Sequence, residues 1–247
     1  MFEKKTTLYL DYNEKPIKDF LKHFAKRGGT TIQHTSTGHD NLPKEWCEQL
    51  GLEQKWLQDY SSDSVADLTL LLTLSLARQI QLPTKNHKHY YVFSRNGLEL
   101  NKKQVLIIGS EGNIGKAVAK RFKSFGCKIM GIDLKNKQST NILFDLYLQK
   151  ADIVILCLNG ENNRNWFKAV YFRTMRKRPL LINMVRENLV NTSTLIKALK
   201  KQQISGYAVD GEIDNNFLKE QSCVLFTGHV GARTVEAQER RKKLLKR

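Results

Sequence analysis

The sequence predicts an α/β protein, a doubly wound parallel sheet joined to a second, smaller and truncated α/β domain. Three observations predict it. From residue 105 onward, short apolar runs alternate with helix-period segments. The runs are nearly continuous rather than alternating with polar residues, which suits parallel strands covered on both faces. The first run passes into a glycine-rich turn at the head of a helix, the signature of a Rossmann unit.

The runs read as strands at 105–108, 128–132, 153–158, 180–184, 206–210 and 224–227, with helices at 115–125, 142–150, 164–177 and 192–201 between them. Asn191 or Thr192 supplies the N-cap of the helix at 192. Before them, TLYLDY (7–12) and TTIQHT (30–35) suggest strands, while PIKDFLKHFAKR (16–27) and LPKEWCEQLG (42–51) suggest helices. Residues 62–80 form an apolar helix capped by Ser61 or Ser62, and apolar side chains nearly all round it argue for burial between two domains. Residues 81–104, with Pro83, read as the linker. The expected division is 1–82 as the reduced domain and 83–229 as the dinucleotide domain, with a helix in 230–247 packing back toward the first.

The segment VLIIGSEGNIGKAVAKRFKSFGCKIMGID (105–133) carries the most chemistry. Backbone N–H groups at a helix N-terminus, with the positive end of the helix dipole, suit a diphosphate. Gly109, Gly112, Asn113, Ile114 and Gly115 would form that cradle, although Ser110 stands where the G-x-G-x-x-G pattern has its first glycine. Asp133 ends the next strand and would accept the ribose hydroxyls, favouring NAD over NADP because a carboxylate repels a 2′-phosphate.

The chain is basic, with 41 Lys and Arg against 24 Asp and Glu and a formal charge of +17. A basic surface can serve nucleic acid or an anionic membrane, but most of the charge is scattered. Its densest run is RRKKLLKR at 240–247. Nucleic acid is therefore possible as a partner without being favoured. Cys47, Cys127, Cys157 and Cys223 show no C-x-x-C spacing and read as reduced thiols, with no metal site indicated. The first residues lack the apolar segment of a signal peptide, and LTLLLTLSLA (68–77) is too short for a membrane span. The expectation is a cytoplasmic protein.

In an open parallel sheet, ligands bind beyond the carboxyl ends of the strands. The fourth predicted strand is followed by Arg186, the fifth by Asp210 and the sixth by His229. An arginine fork can hold a carboxylate while a histidine moves a proton at the adjacent oxygen, and Asp210 could hold the cofactor's carboxamide end.

The stretches TSTGHDN (35–41), YSSDSVADLTLLLTLSLAR (60–78), ADIVILCL (151–158), MRKRPLLINMVRENLVNTSTLIKAL (175–199), GYAVD (206–210) and FTGHVGARTVEAQER (226–240), with the glycine segment, occur in an order that resembles the D-isomer-specific 2-hydroxyacid dehydrogenases. The resemblance implies a nicotinamide-binding domain set in a substrate domain, and usually a homodimer. It implies Arg186 as the carboxylate-binding arginine, His229 as the acid/base and Asp210 on the nicotinamide side. The implied activity is NAD-dependent hydride transfer between nicotinamide and a small 2-hydroxy or 2-oxo acid. Two departures matter. Asn215 stands where the family has the glutamate that pairs with the histidine, and Glu187 replaces the glycine after the arginine. The substrate domain is also about 40 residues short by the same resemblance. These departures motivate the alternative of a catalytically reduced, NAD-binding sensor, scaffold or corepressor-type protein.

Overall fold

A computed structural model describes residues 6–11, 14, 16–36, 42–80, 96–133, 140–158 and 163–246. The expected linker lies largely outside the described residues, as does most of the TSTGHDN stretch. The chain forms two compact units, one of residues 1–60 with 235–247 and one of residues 61–234.

The first unit holds a three-stranded parallel sheet in the order β1-β2-β3 (Thr6–Leu10, Gly29–His34, Glu53–Lys55), with α1 (Lys18–Lys26) and α2 (Lys44–Gln49) as its connections. Leu10, Leu21, Ile32, Leu42, Cys47 and Leu52 make its core. The short, polar β3 (EQK) carries no hydrophobic signal in the sequence. The C-terminal helix α9 (Val235–Leu245) belongs to this unit. Arg241 Nη2 donates to Asp11 Oδ1 at 3.1 Å and to the Thr35 hydroxyl, and Arg240 Nε donates to the Tyr60 carbonyl at 2.8 Å. Two cations of the basic run are thus committed to internal bonds.

The second unit is built on six parallel strands: β4 (Gln104–Ile108), β5 (Lys128–Ile132), β6 (Ile153–Leu156), β7 (Leu180–Asn183), β8 (Gly206–Val209) and β9 (Val224–Phe226). Their order is β5-β4-β6-β7-β8-β9, so the winding reverses between β4 and β6. Val105 to Ile108, Ile153 to Leu156 and Leu180 to Ile182 are buried throughout, as a sheet covered on both sides requires. Helices α3 (Ser62–Ala77), α4 (Asn113–Ser124), α5 (Thr140–Lys150), α6 (Ala169–Thr174), α7 (Thr192–Lys200) and α8 (Asn216–Glu220) accompany it.

Two sequence expectations differ from the structure. The helix expected at 164–177 shrinks to α6, because Phe167 pairs with Val190 in a β-bridge and Met175 has extended backbone. The boundary expected between 82 and 83 falls outside the described residues, and the compact units divide after Tyr60. The apolar α3 therefore belongs to the dinucleotide unit, where Val65, Leu72 and Leu76 share a core with Val105, Val118 and Ile182. Part of its apolar surface packs on the sheet and on α4.

Candidate active site

All the polar residues singled out at strand ends lie in the second unit. The winding reversal puts the turn after β4 at the point where a ligand can enter between diverging connections. Gly109 adopts φ +91°, and a Cβ there would lie 2.6 Å from the Cys157 carbonyl carbon. A Cβ on Gly115 would run into the Gly109 carbonyl oxygen. Both positions require glycine for close approach. Gly112 is the N-cap of α4, and no side chain caps that first turn, which opens with Asn113 and Ile114. Its N–H groups suit an anion.

Ser110 departs from the glycine pattern, and β5 accommodates it. A Cβ on Gly131 would meet Ser110 Oγ at 2.6 Å. The side chain absent from β5 leaves the space that the serine fills. Asp133, just beyond β5, accepts the Glu111 N–H at 2.6 Å, so the acid stands against the glycine turn. Glu111 itself is exposed.

Beyond β7, the fully buried Asn183 shapes the turn that carries Arg186. Its Nδ2 donates to the Arg186 carbonyl at 2.8 Å and to Tyr207 Oη at 3.1 Å, while its Oδ1 accepts the Val185 N–H at 3.0 Å. Burial pushes the Tyr207 hydroxyl well above the usual tyrosine range, although the Asn183 hydrogen bond opposes this.

Beyond β8, Asp210 is 5% exposed and holds the loop after β9. Its Oδ1 accepts from Thr227 Oγ1 and the Val230 N–H, both at 2.7 Å, and its Oδ2 accepts the Gly231 N–H at 2.9 Å. That loop presents His229 at φ +62°. Three of about four lone-pair sites on the carboxylate are occupied, leaving one for a further donor. Arg186 Nη1 lies 3.3 Å from His229 Nε2. A guanidinium only donates, so in this contact Nε2 stands as the acceptor.

Asn215 does something else. Its Oδ1 accepts the Leu218 N–H at 3.1 Å and caps α8. Asp214 is fully solvated and lies 3.9 Å from Lys219. Glu187 reaches over Gly211, where a Cβ would meet its Oε2 at 2.9 Å. Among the described residues, no group of three His, Cys, Asp or Glu could hold a metal ion.

Asn183 and Ser64, whose hydroxyl binds the Gly231 carbonyl, were not anticipated. Asn183 left a faint signal, a polar residue closing an apolar run. Ser64 left none.

Residues 70–231 match the family described as D-isomer specific 2-hydroxyacid dehydrogenase, NAD binding domain. The chain belongs to that family. A D-lactate dehydrogenase of Streptococcus agalactiae is 31% identical over 206 residues, covering 79% of this chain and 62% of the relative. The chain thus spans less than two thirds of that dehydrogenase. A D-specific alpha-keto acid dehydrogenase of Enterococcus faecium is 32% identical over 235 residues, covering 86% of this chain and 72% of the relative. The solved structure of Aquifex aeolicus D-lactate dehydrogenase, complexed with NAD and lactic acid, has a TM-score of 0.82 at 21% identity. It covers 99% of this chain and 82% of that one. At that identity the likeness speaks for the fold alone.

Proposed function

We propose that this family member is an NAD-dependent oxidoreductase moving a hydride between nicotinamide and a small 2-hydroxy or 2-oxo acid. The observation that carries the reading is the 3.3 Å approach of Arg186 to His229 at the carboxyl edge of the sheet that bears the glycine turn. The residues present fit the cofactor. Gly109 and Gly115 permit close approach, the uncapped first turn of α4 suits the diphosphate, and Asp133 suits the ribose hydroxyls of NAD. Bound NAD supplies or takes up the hydride.

The chain's own residues do the rest. Arg186 holds the substrate carboxylate through a two-pronged bond. Once its fork is taken by that carboxylate, Nε2 of His229 is released to face the 2-oxygen. Neutral His229 then accepts the hydroxyl proton in the oxidative direction, and the protonated ring donates it back in the reductive one. Asp210 offers its remaining lone pair to the carboxamide end. As the family resemblance implies, the protein acts as a homodimer. A reducing, cytoplasmic setting agrees with four free thiols. Among the described residues, no helix is long and apolar enough to cross a membrane.

Asn215 favours a second reading. Its oxygen caps α8, and an amide brings no negative charge to the imidazole. A family member that binds NAD without turnover would then act as a sensor, scaffold or corepressor-type protein. Polyanion binding through the C-terminal run is less favoured, since Arg240 and Arg241 are bonded within the first unit.

Titration of NADH and NADPH by fluorescence, followed by NADH oxidation with a panel of small 2-oxo acids, separates these readings. Turnover abolished by Arg186→Ala and by His229→Ala is the expected result. Tight NADH binding with no turnover across the panel selects the second reading, and absence of NADH binding removes both.

A further inference from the structure

The first turn of α3 engages two parts of the site at once. Arg121 of α4 donates through Nη1 to Asp63 Oδ1 at 3.1 Å and through Nε to Asp67 Oδ1 at 2.5 Å. Between those acids stands Ser64, 4% exposed, whose Oγ donates to the Gly231 carbonyl at 2.5 Å. One helical turn therefore grips both the helix that heads the glycine turn and the loop that presents His229.

Gly231 is held by both its polar atoms. Asp210 takes its N–H and Ser64 takes its carbonyl. A Cβ at Gly231 would lie 2.5 Å from Asp210 Oδ2 and 3.2 Å from Val65 Cγ2, so the loop threads a gap that only glycine fits. Two residues earlier, His229 occupies the left-handed region at φ +62°. That conformation is strained for a residue with a side chain and persists only where the surroundings impose it.

We propose that Ser64 is a positioning residue for His229. Its hydroxyl and the Asp210 carboxylate clamp Gly231 from opposite sides, which fixes the imidazole relative to α4 and so to the dinucleotide cradle. The proposal rests on the oxidoreductase reading above. It adds a residue of α3 that touches neither substrate nor cofactor, and it gives the SSDSVAD segment a task in the chemistry. Removing the hydroxyl leaves a buried carbonyl without its partner and loosens the loop on the α3 side. A misplacement of about 1 Å can cost on the order of 100-fold in rate.

The test compares full-length wild type with Ser64→Ala and Ser64→Thr, by steady-state kinetics, NADH titration and amide hydrogen exchange at Val230 and Gly231. In Ser64→Ala, kcat should fall roughly tenfold or more, NADH Kd should stay within about twofold, and exchange at Val230 and Gly231 should accelerate. Ser64→Thr, which retains the hydroxyl, should recover most of the turnover. Unchanged kcat in Ser64→Ala, or slower turnover with unaltered exchange at both amides, overturns the proposal. So does a joint loss of NADH affinity and thermal stability that Ser64→Thr does not reverse, because Ser64 would then be structural only. If the wild type reduces no 2-oxo acid, the oxidoreductase reading fails separately, and exchange at the two amides alone decides whether the clamp exists.

Discussion

Asp210→Asn changes one atom and should undo the loop that carries His229. The carboxylate accepts three bonds, from Thr227 Oγ1 and the Val230 N–H at 2.7 Å and from the Gly231 N–H at 2.9 Å, in a residue 5% exposed. An amide oxygen can keep the first two as neutral bonds, but its NH2 would then face the Gly231 N–H, donor against donor. Bonds to a charged acceptor contribute about 1.5 to 3 kcal/mol each and neutral ones about 0.5 to 1.5, while an orphaned buried donor costs about 1 to 3. Asparagine escapes the cost of burying a charge, which returns part of the loss. The net expectation is a destabilisation of about 2 to 3 kcal/mol. Urea unfolding read from the midpoint at constant m-value measures it, and amide exchange at Val230 and Gly231 localises it. A change below about 0.5 kcal/mol, the ordinary range of surface substitutions, with both amides still protected, would mean that the Asp210 carboxylate does not hold this loop.

Asn183→Ala removes three bonds from a fully buried side chain and should cost about 2 to 4 kcal/mol. Its activity loss should exceed what that instability explains, because the turn bearing Arg186 is released; unfolding and kinetics on one preparation check both. Gly109→Ala forces a methyl to within 2.6 Å of the Cys157 backbone at φ +91°, and fluorescence titration should show NADH binding lost. Burial, helped by Glu48, pushes the Cys47 thiol up to about 11. A thiol raised in the folded state favours folding below its unfolded pKa and loses that contribution as pH rises through the folded value, so stability should decline between about pH 9 and 11. At pH 8, iodoacetamide should label Cys47 slowly until the protein is denatured.

The second sheet was legible because buried parallel strands must be apolar almost throughout. All six observed strands begin within one residue of an apolar run, and β5 spans 128–132 as read. The run at 153–158 overshot because Cys157 and Leu158 remain apolar after the strand ends. The aromatic stretch Trp166 to Phe172 has a helical period, but Phe167 spends it on packing against Phe172 and on the bridge to Val190. Asn191 was readable as a cap, and its Oδ1 accepts the Thr194 N–H at 3.1 Å. Arg186, Asp210 and His229 were legible by their place after strands. The bonds that organise them were not, since Ser64 lies 167 residues from Gly231 and no local pattern announces so distant a pairing. Asp210 shows the same limit. Its position drew attention to the cofactor, whereas its three described bonds serve the chain itself.

The serine in the glycine turn carries a lesson about inheritance. Ser110 and Gly131 are two halves of one steric fit across neighbouring strands, so selection acts on the pair. A methyl added to Gly131 alone collides, and a glycine restored at 110 alone leaves a hollow about the size of a hydroxymethyl group. Evolutionary paths through this corner should therefore pass by way of the hollow, the milder fault, and relatives with a glycine at the turn are free to carry a bulkier residue on the adjoining strand.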